Sequence, residues 1–247
     1  MNAIKYLVPN GFTATSMLFG LASVVASSKG EFELASWMIL WGVLLDKLDG
    51  ASARLLGASS GFGVQFDSFA DFVIFGIAPA ALCYFSLRDT GIYQSGIAHW
   101  LLLGASGLFA VATSARLARF NISEPPDGDE IFYGIPTTLV GALIASGYLT
   151  WSQYELDASY LLAFPGVLAV LGVSMVTNLR IPKLKARKNP VIHWFQILNL
   201  VAVYVVTPFR LLPEYLLGLC LVYLVVGLTW GALNPAADTP EPEEQPA

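Results

Sequence analysis

Charge is what this chain has least of. Lys, Arg, Asp and Glu together make up 13% of its 247 residues, about half the share a soluble domain carries. The 13 basic residues form no patch interleaved with aromatics, which excludes a nucleic-acid binder. Cysteine is scarce: Cys83 and Cys220 sit far apart in apolar runs, which predicts lipid- or core-facing thiols rather than a disulfide. The two histidines, His99 and His193, stand at expected helix starts and read as interface residues. No internal repeat and no P-loop is present.

What the chain has in abundance is apolar surface. Hydrophobic residues make up 55% of it, and mean hydropathy is +0.63. A soluble globular enzyme and a disordered protein are both excluded, and a polytopic membrane protein is expected. The formal charge of −5 hides an imbalance. Asp238, Glu241, Glu243 and Glu244 lie in the last ten residues, and without them the balance is −1. Residues 1–233 are expected to form a single transmembrane domain. Residues 234–247 read as a disordered, acidic, Pro-rich tail.

A spanning helix needs about 20 mostly apolar residues, and eight runs qualify, at roughly 11–28, 33–56, 61–86, 98–121, 135–152, 159–177, 191–208 and 211–232. The last two are joined by a very short link, Thr207-Pro208-Phe209-Arg210. Lys5 and the run ending near Ala26-Ser27-Ser28 resemble a signal peptide. Pro9-Asn10 and several hydroxyls interrupt the apolar core such a peptide would have, so a retained span is expected. Residues 1–8 are expected to form a short interfacial segment. Trp100, Trp151, Tyr154 and Trp194 near span ends read as aromatic belts.

Lys and Arg set the expected orientation. With the N-terminus in the cytoplasm, Lys5, Lys47, Arg54, Arg116, Arg119, Arg180, Lys183, Lys185, Arg187 and Lys188 fall on or near the cytoplasmic side. Lys29, Arg88 and Arg210 fall outside. The segment Arg180–Lys188 reads as a topology determinant that can also attract anionic headgroups, and 124–130 as a polar turn. The expectation is a multi-pass protein whose site faces the cytoplasm, in the inner membrane if the source is bacterial.

Four carboxylates stand where they are costly. An ionisable group near the centre of a span costs at least about 2.5–3.5 kcal/mol. Asp46, Asp49, Asp67 and Asp71 lie in the stretch DKLDGASARLLGASSGFGVQFDSFAD. At 100° per residue, Asp46, Asp49, Gly50, Ala53 and Gly57 fall within an arc of about 100°. Gly63, Asp67 and Asp71 follow one another at i+4 on the next helix. Two antiparallel helices joined at 57–62 can therefore present both faces to one cavity. Facing carboxylates repel unless neutralised. Short, hard Asp ligands suit Mg²⁺ or Mn²⁺, with substrate phosphates completing the shell. Four Asp balance two divalent cations, and such a site can accept a diphosphate, with Arg54 adding one positive charge. A metal pair can clamp both ends of an in-line phosphoryl displacement. Gly50, Ala53, Gly57 and Gly63 would leave room for a base or a phosphate, although close helix packing in lipid also favours small residues.

At these residues the sequence resembles the CDP-alcohol phosphatidyltransferase family. Its signature, D-x2-D-G-x2-A-R-x8-G-x3-D-x3-D, is matched by Asp46, Asp49, Gly50, Ala53, Arg54, Gly63, Asp67 and Asp71. The resemblance implies an all-α membrane bundle with a six-helix core, here extended by about two C-terminal spans, and often a homodimer. It implies transfer of a phosphatidyl group from a CDP-linked lipid to an alcohol, with CMP leaving. Asp46, Asp49 and Asp67 would hold one metal, and Asp46, Asp67 and Asp71 would touch a second. Asp71 would also be the general base. Gly50 and Ala53 would border the cytidine, and Arg54 would steady the phosphates.

Segments outside the signature bear on the acceptor. Phe75-Gly76-Ile77-Ala78-Pro79, Arg116-Leu117-Ala118-Arg119-Phe120-Asn121 and Tyr133-Gly134-Ile135-Pro136 are similar to those of the family's integral-membrane phosphatidylserine synthases, as are Pro9-Asn10 and Thr13. The chain departs from them at Thr137-Thr138, where serine-using relatives usually show a small residue and a second Pro. L-serine is the expected acceptor and CDP-diacylglycerol the expected donor. Arg116 and Arg119 suit bidentate capture of a carboxylate, and snorkelling to fix topology is their bland alternative. Asn10, counted with the nucleotide and phosphate residues, and Asn121, counted with the acceptor residues, could instead cap helices. Thr13 reads more as a helix hydroxyl than a ligand. Choline, inositol, an inositol phosphate or glycerol 3-phosphate remain as other acceptors. A cation transporter using the four Asp as a relay remains as a different class.

Overall fold

The computed structural model describes residues 3–88, 90–122, 131–183 and 190–234. The 124–130 turn, Lys185, Arg187 and Lys188, and the tail beyond Asn234 lie outside the described residues. Helices follow one another almost without interruption: α1 (Ala3–Ser28), α2 (Phe32–Leu55), α3 (Gly61–Asp71), a π-helical turn (Phe72–Ile77), α4 (Ala78–Arg88), α5 (Gly96–Ile122), α6 (Thr137–Gln153), a 3₁₀ segment (Ala158–Ala163) that runs into α7 (Phe164–Val176), α8 (Pro190–Val206) and α9 (Pro213–Leu233). This is the expected all-α polytopic membrane bundle. Among the described residues, five stretches are long and apolar enough to cross a membrane: Lys5–Ser28, Gly61–Arg88, Gly96–Ile122, Ser159–Val176 and Pro213–Leu233. α2 carries Asp46, Lys47, Asp49 and Arg54, while α6 and α8 have 17 residues each.

The interfacial segment expected at residues 1–8 is not separate. From Ala3 it belongs to α1, which runs straight through Pro9. A proline this near a helix start removes one intrahelical bond, to the carbonyl four residues earlier, so the helix continues. The 207–210 link is as short as expected. It turns with Arg210 and Leu212 at positive φ, and α9 begins at Pro213. A feature with no sequence signal is the antiparallel pairing of β1 (Ile131–Tyr133) with β2 (Arg180–Pro182), Phe132 opposite Ile181.

α6 is the most enclosed helix, burying Leu139, Val140, Ala142, Leu143, Ile144, Ala145, Tyr148 and Leu149. α2 and α9 flank it, and α1 packs along α2. On α1 the packed face is a stripe of small or polar residues. Ser16 donates to the Gly42 carbonyl at 3.4 Å and Ser23 to that of Ala35 at 2.9 Å. Such residues let helix backbones approach closely in lipid. α8 joins α2 through Tyr204 Oη to the Leu44 carbonyl, and Trp41 Nε1 donates to the Thr207 carbonyl. Apolar side chains such as Leu18, Val111, Val170, Leu198 and Val222 are left outward, as a lipid-facing surface requires.

The π turn has identifiable causes. Pro79 has no N–H for the Phe75 carbonyl, and the Ala78 N–H reaches back to Val73 instead. Ile74 sits between two glycines. A Cβ at Gly20 would lie 2.9 Å from the Ile74 Cα, and one at Gly42 would overlap its side chain. The extra residue in the turn re-phases Gly61–Arg88, so that α3 can show one face to α2 while α4 buries Ala78, Leu82 and Cys83. At the end of the bundle remote from α3, Glu33 accepts from Ser152, and Asp157 caps the 3₁₀ segment. The Ser159 amide and hydroxyl hold the Asp157 carboxyl below the usual range.

Gly134 joins β1 to α6 at φ +74° with its Cα against the Met175 carbonyl. An alanine there would be strained by about 1 kcal/mol or more and would collide with that carbonyl. Gly134→Ala is expected to lower the unfolding midpoint of the detergent-solubilised protein. Gly147→Ala, where an added Cβ meets nothing within 4 Å, is expected to hold or raise it, by thermal unfolding of both side by side.

Candidate active site

The loop between α2 and α3 is closed by local chemistry. Gly57, at φ +55°, donates to the Arg54 carbonyl at 3.3 Å, and Ala58 donates to that of Ala53 at 2.8 Å. This is the two-bond ending a left-handed glycine allows. Lys5 Nζ caps the Gly57 carbonyl at 3.1 Å, tying the start of α1 to the end of α2. Ser60 then starts α3, its Oγ accepting from the Gly63 N–H at 3.0 Å. Both helices are thus fixed at the end where the carboxylates stand.

Asp46 and Asp49 from α2 and Asp67 from α3 each offer an oxygen within 4.8 Å of the other two. Asp71, one turn further along α3, meets Asp46. Two unit charges about 4 Å apart repel by about 4 kcal/mol at an effective dielectric of 20. One lysine, Lys47, lies 3.4 Å from Asp46 and points outward, which cannot offset several such pairs. The donors are hard carboxylate oxygens with no thiol or imidazole among them, and that donor set fits a hard divalent cation. Thr13 supplies orientation. Its Oγ1 lies 2.9 Å from Asp49 Oδ2 and 3.1 Å from the Pro9 carbonyl, so its single proton can hold one face of the carboxylate.

The residues expected around a nucleotide stand on the same three helices. Arg54 folds back over Gly50, whose added Cβ would lie 3.4 Å from Nη1. Ala53 is half-buried beside them. Asn10, on α1, brings Oδ1 to 3.7 Å from where a Gly63 Cβ would be. Hence α1, absent from the signature, packs beside the carboxylates.

The acceptor candidates divide. Arg116 is buried, within electrostatic reach of Asp71, and donates from Nη1 to Thr137 Oγ1 at 3.4 Å. Arg119 turns away, donating to the Val176 carbonyl at 3.0 Å and to Asn178 Oδ1 at 2.7 Å, so it caps α7. Asn121 donates to Ser68 Oγ at 2.9 Å and ties α5 to α3. Two contributors were not recognised as such in the sequence. Thr13 belongs to the stripe Asn10, Thr13, Ser16, Gly20 and Ser23, whose spacing of three and four in an apolar helix is a legible signal. Thr137 stood out in the sequence only as a departure from serine-using relatives, with nothing to mark it as a partner of Arg116.

Known proteins resemble the chain in sequence. The sequence profile of the CDP-alcohol phosphatidyltransferase family matches residues 6–179. A CDP-diacylglycerol–serine O-phosphatidyltransferase of Helicobacter pylori (strain J99) is 35% identical over 222 residues, 90% of each chain. One of Methanocaldococcus jannaschii is 30% identical over 217 residues, 87% of this chain and 90% of that one. An archaetidylserine synthase of Methanothermobacter thermautotrophicus is 31% identical over 166 residues, 66% and 64% of the two chains. An apolar bundle that gathers acidic side chains from two helices, carried on a sequence that matches over most of its length, leads to one statement: the chain belongs to the CDP-alcohol phosphatidyltransferase family and is a membrane transferase.

Proposed function

We propose that the chain transfers the phosphatidyl group of CDP-diacylglycerol to L-serine, giving phosphatidylserine and CMP. The observation that carries this reading is the convergence of Asp46, Asp49 and Asp67 oxygens, with Asp71 beside them, in a chain of this family. The names of the Helicobacter and Methanocaldococcus relatives support serine as the acceptor. In this reading Asp46, Asp49, Asp67 and Asp71 hold two divalent cations, Mg²⁺ or Mn²⁺. When bound, these supply the positive charge that draws electrons from the diphosphate and stabilises CMP as it leaves.

The chain's own groups do the rest. Arg54 steadies the phosphates, while Gly50, Ala53, Gly63 and Asn10 border the nucleotide. Asp71 accepts the serine hydroxyl proton as the serine oxygen bonds to the phosphatidyl phosphorus. The bond from that phosphorus to the CMP oxygen breaks, and its electron pair leaves with CMP. One phosphoanhydride is exchanged for one phosphodiester, so no further energy source is needed. Arg116 faces the acceptor, with Arg119 and Asn121 bracing the same wall. Ten of the 13 Lys and Arg residues assigned to the motif's side support a cytoplasmic site. Residues 1–233 then act as one catalytic unit, and a homodimer is part of the same reading.

The test is a panel of labelled alcohols with CDP-diacylglycerol and Mn²⁺, scored by lipid product and CMP. Serine alone is expected to give product efficiently. Asp71→Asn is expected to lower CMP release by about 100-fold or more with the protein still monodisperse in detergent, and retained turnover would remove Asp71 from the base role. Thr13→Val is expected to raise the Mn²⁺ concentration for half-maximal CMP release by roughly tenfold, the usual scale for losing a group that orients a ligand. Thr13→Ser should stay near wild type in the same titration.

A further inference from the structure

Two cavities meet at the end of the bundle remote from the carboxylates, where α1 gives way to α2, α6 ends and α8 is linked to α9. The first is an apolar groove of about 410 Å³ between α1 and α2. Leu18, Leu21 and Val25 of α1 line one side, and Leu34 and Met38 of α2 the other. The small side chain of Ala22 lies between them, and Lys29 stands at the groove's end. From Leu18 to the end of α1 the helix rises about 15 Å at 1.5 Å per residue. That is the depth of one leaflet's hydrocarbon, half of a core about 30 Å thick.

The second cavity is a polar cleft of about 630 Å³. Glu31, Glu33 and Arg210 line it together with the buried rings of Trp37 and Tyr148. Glu31 and Leu34 belong to both cavities, so groove and cleft are continuous. The charges around the cleft are held in place. Arg210 lies over the Trp41 ring at 5.0 Å, and Glu33 accepts from Ser152 at 2.7 Å through one oxygen. Among the described residues no ion pair joins Lys29, Glu31, Glu33 and Arg210 to one another. Two cations and two carboxylates therefore face the same space with no net charge.

A ligand that matches both cavities has an acyl chain for the groove and a neutral but internally charged head for the cleft. A glycerophospholipid with a primary amine has this form. Its ammonium offers three N–H donors to the two carboxylates. A quaternary ammonium has no N–H to give, and a polyol head has no cation. We propose that groove and cleft together bind one phospholipid with a zwitterionic, primary-amine headgroup, its phosphate on Lys29 and Arg210 and its ammonium on Glu31 and Glu33. This seat is separate from any at the acidic cluster, because Glu33 and Asp46 stand about 20 Å apart along α2. The lipid braces α1 on α2, the pair whose contact sets Thr13 on Asp49.

The experiment is native mass spectrometry of the delipidated full chain. It is titrated with phosphatidylethanolamine, phosphatidylcholine or phosphatidylglycerol of identical chains, and thermal unfolding and CMP release are followed on the same samples. Phosphatidylethanolamine should bind at the lowest concentration and raise the unfolding midpoint, and O-phosphoethanolamine, which has no chain, should not compete with it. Glu31→Gln combined with Glu33→Gln should weaken phosphatidylethanolamine roughly tenfold, the scale of a lost hydrogen bond to a charged group, and leave phosphatidylglycerol unchanged. Ala22→Trp, which fills the groove, should remove the tight site while CMP release stays near wild type, and if that variant does not fold, the Glu pair decides. Equal binding of the three lipids, or phosphatidylethanolamine binding untouched by these variants, overturns the proposal. So does an Ala22→Trp chain that keeps its lipid but changes from dimer to monomer, since the groove would then seat a second copy. The serine reading is independent of all these outcomes.

Discussion

Mutual repulsion among carboxylates in an apolar bundle is the constraint from which the rest of this molecule follows. Asp46, Asp49 and Asp67 are held within 4.8 Å of one another in surroundings where each charge is costly. Folding alone would separate them. They stay together because the backbone that carries them is fastened at every available point: a glycine ending for α2, a serine start for α3, a lysine from α1 across the turn, and a threonine from α1 on Asp49. The stabilisation lies in packing and hydrogen bonding around the site, and the site itself is left as an unmet demand for positive charge.

That arrangement explains the irregular helix next to it. A regular helix from Gly61 to Arg88 would carry the phase of Asp67 and Asp71 straight into the core-facing residues beyond. The π turn at Phe72–Ile77 decouples the two halves. Ile74, wedged against Gly20 and Gly42, locks the turn to α1 and α2. One residue of slack thus lets a single span serve the carboxylate cluster at one end and an apolar core at the other.

The parts legible in the sequence are those whose signal is local and repeated. Each of the eight apolar runs has its helix, and among the described residues five stretches are long and apolar enough to cross a membrane, a property that rests on length and composition alone. The hairpin of carboxylates was legible because the spacing of Asp46, Asp49, Gly50, Ala53, Arg54, Gly63, Asp67 and Asp71 survives any uncertainty in helix ends. The π turn was not, since it depends on Pro79 acting together with two glycines on other helices. Nor was the β1–β2 pair, whose three-residue strands are too short for any alternation to register. Arg116 and Arg119 looked equivalent in sequence, three residues apart on one helix. Only the fold separates them, by setting the end of α7 beside one and the start of α6 beside the other.

The small β ribbon has a consequence for how such a protein can diversify. Tyr133 pairs with Arg180, Gly134 is stitched to Leu179, and Arg180 reaches the Asn234 carbonyl. The ends of α5, α6, α7 and α9 are therefore clasped into one panel, distinct from the α1–α2–α3 panel that bears the acids. In the function proposed above, the clasped panel carries the acceptor residues and the opposing panel the nucleotide residues, so a sequence can redraw the first to suit another alcohol and keep the second.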